Sequence, residues 1–441
     1  MVASECLFSE RSMFDRNSWV INLTESSSSS RWRNFAWTLF GRATYSVCQW
    51  GLVSALVKIG GTGLLGRYAL ALAVTAPLSG LANLQLRSVY ATGAAGEFSW
   101  ATYVRVRVWV SVACVVILSV VSLGSSDLRA EAVLIMIVAM AKAIEMVSDL
   151  CFGVFQRHRA MQYFGRSLAI RGAASLAVVV AALRAGFTLE LSLAGMLFVW
   201  IAIFALYDWP NAAALRVPDP VEHAASDRRI GLVWLALPMG VVILFDSLNQ
   251  NVPVYAIEYF HSSSDLGIYA ALTYAVRIGS NAIFSLAAPL ISTMAQDYRA
   301  DRQSSFVRMA LILIALAVVV GIAGVIFAWL CGDAFLRLVY SEEVSEYSSV
   351  FVWVMFGGAL QYLILMCNNV LTAARWLRVQ LLIWVVATIS TATAAWFYVP
   401  SEGILGATQA FVFGVGMGAV AASGLVAIVL SGTCRKQISH D

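Results

Sequence analysis

The sequence predicts an all-α membrane protein of about twelve transmembrane helices in two pseudo-symmetric six-helix lobes. Three observations support this fold class: the composition, the number of long apolar segments and a short internal repeat. Of the 441 residues, 60% are hydrophobic and only 12% are charged, and the mean hydropathy is +0.79. A soluble domain of this size could not hide so much apolar surface from water, so the chain is expected to cross a membrane.

The apolar segments set the number of membrane crossings. A helix needs about 20 apolar residues to cross a bilayer. Segments that meet this requirement lie near residues 36–58, 66–90, 104–124, 131–155, 165–184, 189–208, 231–251, 264–290, 307–330, 348–372, 377–399 and 403–430. The resulting organisation is a disordered cytoplasmic tail (1–34), an N-lobe (36–208), a cytoplasmic linker (209–230), a C-lobe (231–430) and a cytoplasmic tail (431–441).

The basic residues predict the orientation. With the N-terminus inside the cell, twenty Lys and Arg residues fall on the cytoplasmic side and five on the outer side. This distribution obeys the positive-inside rule, so both termini are predicted to be cytoplasmic. The N-terminal tail is Ser-rich and lacks the apolar core of a signal peptide. All the predicted loops are short, which leaves no room for a soluble catalytic domain, and the chain is not expected to be an enzyme.

A short phrase recurs in both halves of the chain. Residues 65–74 read LGRYALALAV, and residues 266–275, 201 positions later, read LGIYAALTYA. The same offset carries Arg107 onto Arg308. Six predicted crossings separate the two copies, which indicates parallel six-helix repeats related by an axis along the membrane normal. In such folds the substrate path commonly lies between the halves.

The positions that are identical in the two copies predict local structure. Gly66 and Gly267 are expected to permit a tight turn at the outer membrane surface. Tyr68 and Tyr269 are expected to anchor the helices at the membrane interface.

Charged residues inside the predicted helices are candidates for function, because each costs roughly 2.5–3.5 kcal/mol at mid-bilayer without a partner or a wet cavity. These residues are Arg42, Lys142, Arg171, Arg277, Glu145, Asp149 and Asp246. Lys142, Glu145 and Asp149 follow i, i+3, i+7 spacing and therefore share one helix face. One interpretation is structural: Lys142 pairs with Glu145, and Asp149 captures Arg171 on the next helix. The other is a carboxylate that responds to protons or sodium.

Two arginines are predicted to bind an anionic substrate. Arg277 lies about 20 Å into its helix at 1.5 Å per residue, too deep to reach the outer surface easily. It either lines a cavity or pairs with Asp246 on the preceding helix. Arg42 lies near the cytoplasmic end of the first helix and either lines the same cavity or snorkels to the surface. Guanidinium groups suit phosphate, which they engage in a bidentate manner. Asp246 joins Glu145 and Asp149 as a candidate for ion coupling.

No metal, cofactor or nucleic-acid partner is expected. The seven cysteines are scattered and form no C-x-x-C pattern, and the four histidines lie far apart in the sequence. Neither a disulfide framework nor a zinc site is supported by this distribution.

Three stretches resemble one known family: LANLQLRSVYATG (81–93), AKAIEMVSDLCFGVFQRHRAMQYFGRSLAIRGAASL (141–176) and LPMGVVILFDSLNQNVPVYAIEYFHSSSDLGIYAALTY (237–274). They resemble bacterial polysaccharide transporters, the Wzx-like oligosaccharide flippases of the multidrug/oligosaccharidyl-lipid/polysaccharide (MOP) exporter superfamily. The most specific pattern consists of Lys142, Glu145, Ser148, Asp149, Gln156, Arg157, Met161, Arg171 and Gly172. One departure is Val254 after Pro253, where the family typically carries a basic residue.

The resemblance implies a MATE-like fold, alternating access and a location in the bacterial inner membrane. It also implies transfer of an undecaprenyl-diphosphate-linked oligosaccharide, for O-antigen, capsule or exopolysaccharide, from the cytoplasmic to the outer leaflet. The implied partners are the lipid-linked oligosaccharide, membrane lipids and other polysaccharide-assembly proteins. Three alternatives remain open at this point: a cation-coupled multidrug exporter of the same superfamily, a membrane glycan polymerase or ligase, and a scaffold that transports nothing.

Overall fold

The computed structural model describes residues 28–91, 98–216, 229–300 and 302–431. Within these ranges the regular structure is helical, and they contain no β-strand. Most of the predicted N-terminal tail (1–34) lies outside the described residues. So do the middle of the predicted linker (209–230) and all but the first residue of the C-terminal tail (431–441).

The N-lobe consists of long helices joined by short connections. They are α1 (Ser28–Asn83), α2 (Leu86–Ala91), α3 (Trp100–Gly124), α4 (Ala132–Arg157), α5 (Met161–Arg184), α6 (Leu189–Ile203) and α7 (Trp209–Leu215). A π-helical segment, Phe204–Asp208, joins α6 to α7 without a break. Gly61 has non-helical backbone angles (φ 79°) and divides α1 into two segments, which a glycine permits without steric cost.

The C-lobe follows the same scheme. Its helices are α8 (Arg229–Phe260), α9 (Ser263–Arg299), α10 (Gln303–Val339), α11 (Glu342–Ser345), α12 (Ser348–Ala373) and α13 (Leu377–Leu430). Gly403 (φ 56°) divides α13 into two segments.

By length and composition, seven helices of the described residues are apolar and long enough to cross a membrane, and two of these have room for a second crossing. The other long helices, α4, α8 and α9, carry the intramembrane charges Lys142 to Asp149, Asp246 and Arg277. With α1 and α13 each divided at its glycine, the helices match the predicted order of about twelve crossings. The prediction of an all-helical, multi-pass membrane protein is confirmed.

Two predicted boundaries were wrong. Helix α1 begins at Ser28, so residues 28–34 are helical rather than disordered. At the linker, α7 extends the sixth crossing to Leu215. Apolar length did not reveal either helix end, because a crossing helix can project beyond the bilayer.

The second crossing ends at Asn83, earlier than the sequence indicated. Leu84 and Gln85 adopt positive φ angles of 48° and 49° and break the helix. Arg107 of α3 donates from Nη1 to the Asn83 carbonyl oxygen at 2.9 Å and satisfies this helix end. Its side chain is 0% exposed. Arg107 is therefore a buried residue that caps the end of α1.

The two lobes meet mainly where α1 packs on α8 and α9. Their closest approach is the repeated phrase itself. A β-carbon on Gly66 would overlap the carbonyl oxygen of Ser263, and one on Gly267 would overlap that of Thr62. Thr62 and Ser263 are also 201 positions apart, so the repeat offset relates the two halves of this contact to each other. A local pseudo-two-fold axis therefore passes between Gly66 and Gly267.

The role predicted for the repeated phrase was wrong in its detail. Tyr68 is only 5% exposed and Tyr269 only 2% exposed. Neither residue is an anchor at the membrane surface, and both glycines allow close contact between the lobes rather than a turn. The sequence could not separate these roles, because glycine and tyrosine serve both.

Polar contacts join the lobes at this same end of the molecule, here called the Gly66 end. Lys58 donates to the Leu338 carbonyl oxygen at 2.7 Å. The hydroxyl oxygens of Thr62 and Ser264 lie 2.5 Å apart. Both hydroxyls also lie within hydrogen-bonding distance of Glu343 Oε1, at 3.1 and 3.5 Å. The Gly66 end is therefore closed by both backbone packing and hydrogen bonds.

Candidate functional site

A cavity of about 440 Å³ lies in the N-lobe against α9, toward the other end of α1. We call it the charged cavity. Its charged lining residues come from α1, α2, α4 and α5: Arg42, Arg87, Lys142, Glu145, Asp149 and Arg171. Asn281 of α9 completes the wall from the C-lobe. Four cationic groups therefore face two carboxylates across a space large enough for a ligand.

The polar stripe on α4 forms two ion pairs. Lys142 Nζ lies 2.9 Å from Glu145 Oε2, as the structural interpretation of the sequence expected. Asp149 pairs with Arg87 of α2 at 3.3 Å, and its predicted pairing with Arg171 was wrong. The early end of α1 explains the difference, because α2 then brings Arg87 over the Phe164 ring, 4.8 Å from its centroid, and within reach of Asp149.

Arg171 instead makes a fully buried pair with Asp208. Its Nη2 donates to Asp208 Oδ2 at 2.9 Å and to Ser148 Oγ at 2.8 Å. The exposed fractions of the two side chains are 2% and 0%. Asp208 ends the π-helical segment, and π-bulges commonly re-aim side chains at functional sites. Its place at the end of an apolar segment was the signal that sequence reasoning passed over.

Arg42 packs against aromatic rings. Its guanidinium carbon lies 5.9 Å from the centroid of Phe164 and 5.7 Å from that of Phe284 in the other lobe. Its Nε atom is buried without a hydrogen-bond partner. Among the ion pairs of the described residues, none includes Arg42.

A second cavity, of about 350 Å³, lies in the C-lobe and shares Ala76 and Asn281 with the first. We call it the amide cavity. Its polar lining includes Asp246, Gln250, Asn251, Arg277, Asn281 and Gln361. Gln250 and Arg277 also line a smaller space of about 60 Å³ beside Tyr68 and Tyr269.

Arg277 and Asp246 face the same cavity without touching. Asp246 Oδ1 accepts a hydrogen bond from Gln250 Nε2 at 2.9 Å. No ion pair within 4.0 Å joins Asp246 to Arg277 among the described residues. The Arg277 side chain is exposed within the cavity. The predicted ion pair between these two residues is therefore absent from this conformation.

Sequence reasoning missed most of the polar lining. Arg87 was not among the predicted site residues, although it falls in a stretch that carried the family resemblance. None of the amides that line the amide cavity was predicted to be a site residue. The available signal was spacing, because Asp246 and Gln250 are i, i+4 on α8, and Arg277 and Asn281 are i, i+4 on α9.

Metal-ligand chemistry has no support in the described ranges. They contain no group of three or more His, Cys, Asp or Glu residues that could hold a metal ion. The cysteines described there are free thiols.

Two helical lobes around a polar cavity form the architecture of a secondary membrane transporter. No family model matches the chain. Among curated proteins, the capsular polysaccharide biosynthesis protein CapF of Staphylococcus aureus is 22% identical over 328 residues, which cover 74% of this chain and 81% of CapF.

Solved structures give the fold. A multidrug resistance MATE family transporter of the MOP superfamily, in an inward-facing conformation, matches with a TM-score of 0.69 at 12% identity over 89% of this chain and 95% of that one. The lipid II flippase MurJ, in an inward closed conformation, matches with a TM-score of 0.66 at 11% identity over 88% of this chain and 86% of that one. The chain has the MATE-like fold of MOP-superfamily transporters, and these findings agree with the resemblance to Wzx-like flippases.

Proposed function

We propose that the protein is a flippase for an undecaprenyl-diphosphate-linked oligosaccharide used in O-antigen, capsule or exopolysaccharide synthesis. The observation that carries this proposal is that two cavity arginines, Arg42 and Arg277, form no ion pair with any carboxylate of the described residues. Lys142, Arg87 and Arg171 each have one, whereas these two keep their full charge available to a ligand. A diphosphate supplies the planar, multidentate acceptor that guanidinium groups prefer.

The ion pairs hold the other cations in place for the same ligand. Glu145 and Asp149 orient Lys142 and Arg87 in the charged cavity, and Asp208 pairs with Arg171, so Arg42 supplies the remaining positive charge. Pairing is therefore the proposed role of these carboxylates in preference to ion coupling. A cationic drug would meet net repulsion in this cavity, which favours a lipid-linked glycan over the substrates of a drug exporter.

Transport follows from the two-lobe architecture. The diphosphate and glycan occupy the cavities between the lobes while the lipid tail remains in the bilayer, and the lobes rock to expose the cavities to either side. The distribution of basic residues supports a position of Arg87 at the cytoplasmic side of the bacterial inner membrane and of the Gly66 end at the outer side. The conformation described above is then closed outward, and both termini are cytoplasmic.

The proposal predicts where substrate accumulates when the arginines are changed. In cells that depend on this protein, the double variant Arg42→Gln/Arg277→Gln should lower surface polysaccharide by roughly tenfold or more, as expected for lost charged hydrogen bonds. Lipid-linked oligosaccharide should build up on the cytoplasmic leaflet. The matched control is Arg337→Gln, since Arg337 is exposed and pairs only with Asp333 on its own helix.

Two outcomes would overturn the proposal. Normal surface polysaccharide in the double variant, at normal protein levels, would remove these residues from transport. Glycosidic bond formation by the purified protein would instead indicate a polymerase or ligase.

A further inference from the structure

The two cavities differ in their chemistry. The charged cavity carries six charged side chains, whereas the amide cavity is lined mainly by side-chain amides and hydroxyls. Its two ionisable groups, Asp246 and Arg277, stand on neighbouring helices and do not pair. Amides both donate and accept hydrogen bonds, and they therefore suit the hydroxyl and acetamido groups of a sugar beside the diphosphate that Arg277 is proposed to contact.

Gln361 is the clearest indication of a ligand. Its side chain is 9% exposed, it lines the amide cavity and the small space beyond it, and it makes none of the hydrogen bonds found among the described residues. Its amide atoms are not among the fully buried polar atoms that lack a partner, so they are accessible from the cavity. Gln361 therefore directs unused donors and an acceptor into the cavity.

The neighbouring side chains are held in position. Gln250 donates to Asp246, which leaves the second carboxylate oxygen without a described partner. Asn251 donates to the Ser247 carbonyl oxygen at 2.7 Å and is only 3% exposed. Fixed polar groups of this kind lose little freedom on binding and discriminate between hydroxyl patterns.

We propose that the amide cavity is a subsite for the sugar attached directly to the diphosphate, read through its hydroxyl or acetamido groups by Gln361, Gln250 and Asp246. This inference rests on the proposed function. Adjacency supports it, because Ala76 and Asn281 line both cavities, so a diphosphate in one and the sugar bonded to it in the other would be neighbours. The volume of about 350 Å³ falls in the range of ligand sites and far exceeds the space of a single ion or water.

The test compares five lipids on the purified full chain in nanodiscs. One is undecaprenyl diphosphate, and the other four each carry a single sugar: glucose, galactose, N-acetylglucosamine or N-acetylgalactosamine. The wild-type protein should bind at least one of the sugar-bearing lipids roughly tenfold more tightly than the bare lipid. Gln361→Leu should remove that preference and leave the affinity for the bare lipid unchanged.

Gln380→Leu is the matched control. Gln380 is 7% exposed, but its amide donates to Thr372 Oγ1 at 2.8 Å and does not line the cavity. This variant should keep the preference, whatever it does to stability. If the wild-type protein binds all five lipids equally, the subsite inference fails while the flippase proposal stands. If it binds none of them, the flippase proposal itself fails.

A second measurement tests whether the amide cavity binds a cation instead of a sugar. Thermal unfolding of the wild-type protein and of Asp246→Asn is followed with sodium or potassium as the chloride salt. Sodium should give no stabilisation that depends on Asp246. A sodium-specific rise in the unfolding temperature that Asp246→Asn abolishes would make this cavity an ion site and overturn the inference.

Discussion

Gly66 and Gly267 lie against each other on the axis that relates the two lobes, and each leaves room for a backbone carbonyl of the other lobe. The contact joins residues that are equivalent in the repeat, so any substitution has a counterpart 201 positions away. Neither helix can approach the other as closely if a side chain is added, because the space is already filled by main-chain atoms.

Gly66→Ala should therefore separate the lobes at this end. We expect a loss of about 1–3 kcal/mol, the usual cost of overpacking, and a similar loss for Gly267→Ala. The measurement is thermal unfolding of the purified protein in detergent. Gly63→Ala is the control, because no atom lies within 4 Å of its would-be β-carbon. Equal stability in all three variants would contradict the close crossing.

The buried pair of Arg171 and Asp208 should matter more for stability than any surface pair. Asp208→Ala leaves a buried guanidinium unpaired and should cost about 3–5 kcal/mol. Removing the carboxylate of the exposed Arg337–Asp333 pair by Asp333→Ala should cost less than about 1 kcal/mol. Unfolding temperatures and expression levels measure both changes.

A compensating double variant tests the same pair from the other side. Arg171→Met/Asp208→Leu removes both charges and should recover much of the stability that Asp208→Ala loses. If the double variant is no more stable than Asp208→Ala, then the lost charge pairing does not explain the effect of that substitution.

Asp149 should moderate anion binding through Arg87. Asp149→Asn removes the carboxylate that lies 3.3 Å from the guanidinium and should tighten the binding of inorganic pyrophosphate by about fivefold, roughly 1 kcal/mol. Arg87→Gln should have the opposite effect. Calorimetric titration gives both affinities, with Asp333→Asn as a distant acidic control. Weaker binding by Asp149→Asn would show that the carboxylate positions Arg87 more than it competes with the anion.

Glu343 should stabilise closure of the Gly66 end, because its carboxylate lies close to hydroxyls from both lobes. Glu343→Ala removes these contacts and should shift the population toward conformations that are open at this end. Spin labels at positions 129 and 333 report the distance between the lobes there, and longer distances should gain population. Glu342→Ala is the control, since Glu342 takes part in the described hydrogen bonds only through its backbone. An unchanged distance distribution would show that helix packing alone holds this end closed.

The helical architecture was predictable because the bilayer imposes a length and a hydropathy on every crossing. Those constraints act on each segment separately and need no knowledge of its neighbours. The offset of 201 was visible for the same reason, since a repeat is a property of the sequence alone. The pairing of Lys142 with Glu145 could be anticipated because it is local to one helix face.

What the sequence did not reveal depends on contacts between segments. Asp208 and Arg171 are 37 positions apart, and only the π-helical turn brings them together. Arg107 and Arg308 occupy equivalent positions in the repeat, yet Arg107 is buried at a helix end and Arg308 is exposed. The break in the helix at Leu84 and Gln85 creates the buried environment of Arg107. The amino-acid composition of this stretch does not indicate the break. The charge of an arginine in the sequence does not show whether its side chain lines a cavity or caps a helix.

The Gly66–Gly267 contact has a mechanical consequence. While it holds, it acts as a pivot, and α1 is a lever whose far end at Asn83 lies about 26 Å away at 1.5 Å per residue. A rotation of about 10° at the pivot then moves that end by about 4 Å, roughly the width of one side chain. The position of these two glycines therefore determines how far the helix end near Arg87 moves when the lobes rotate by a small angle. This is the end where the substrate is proposed to enter.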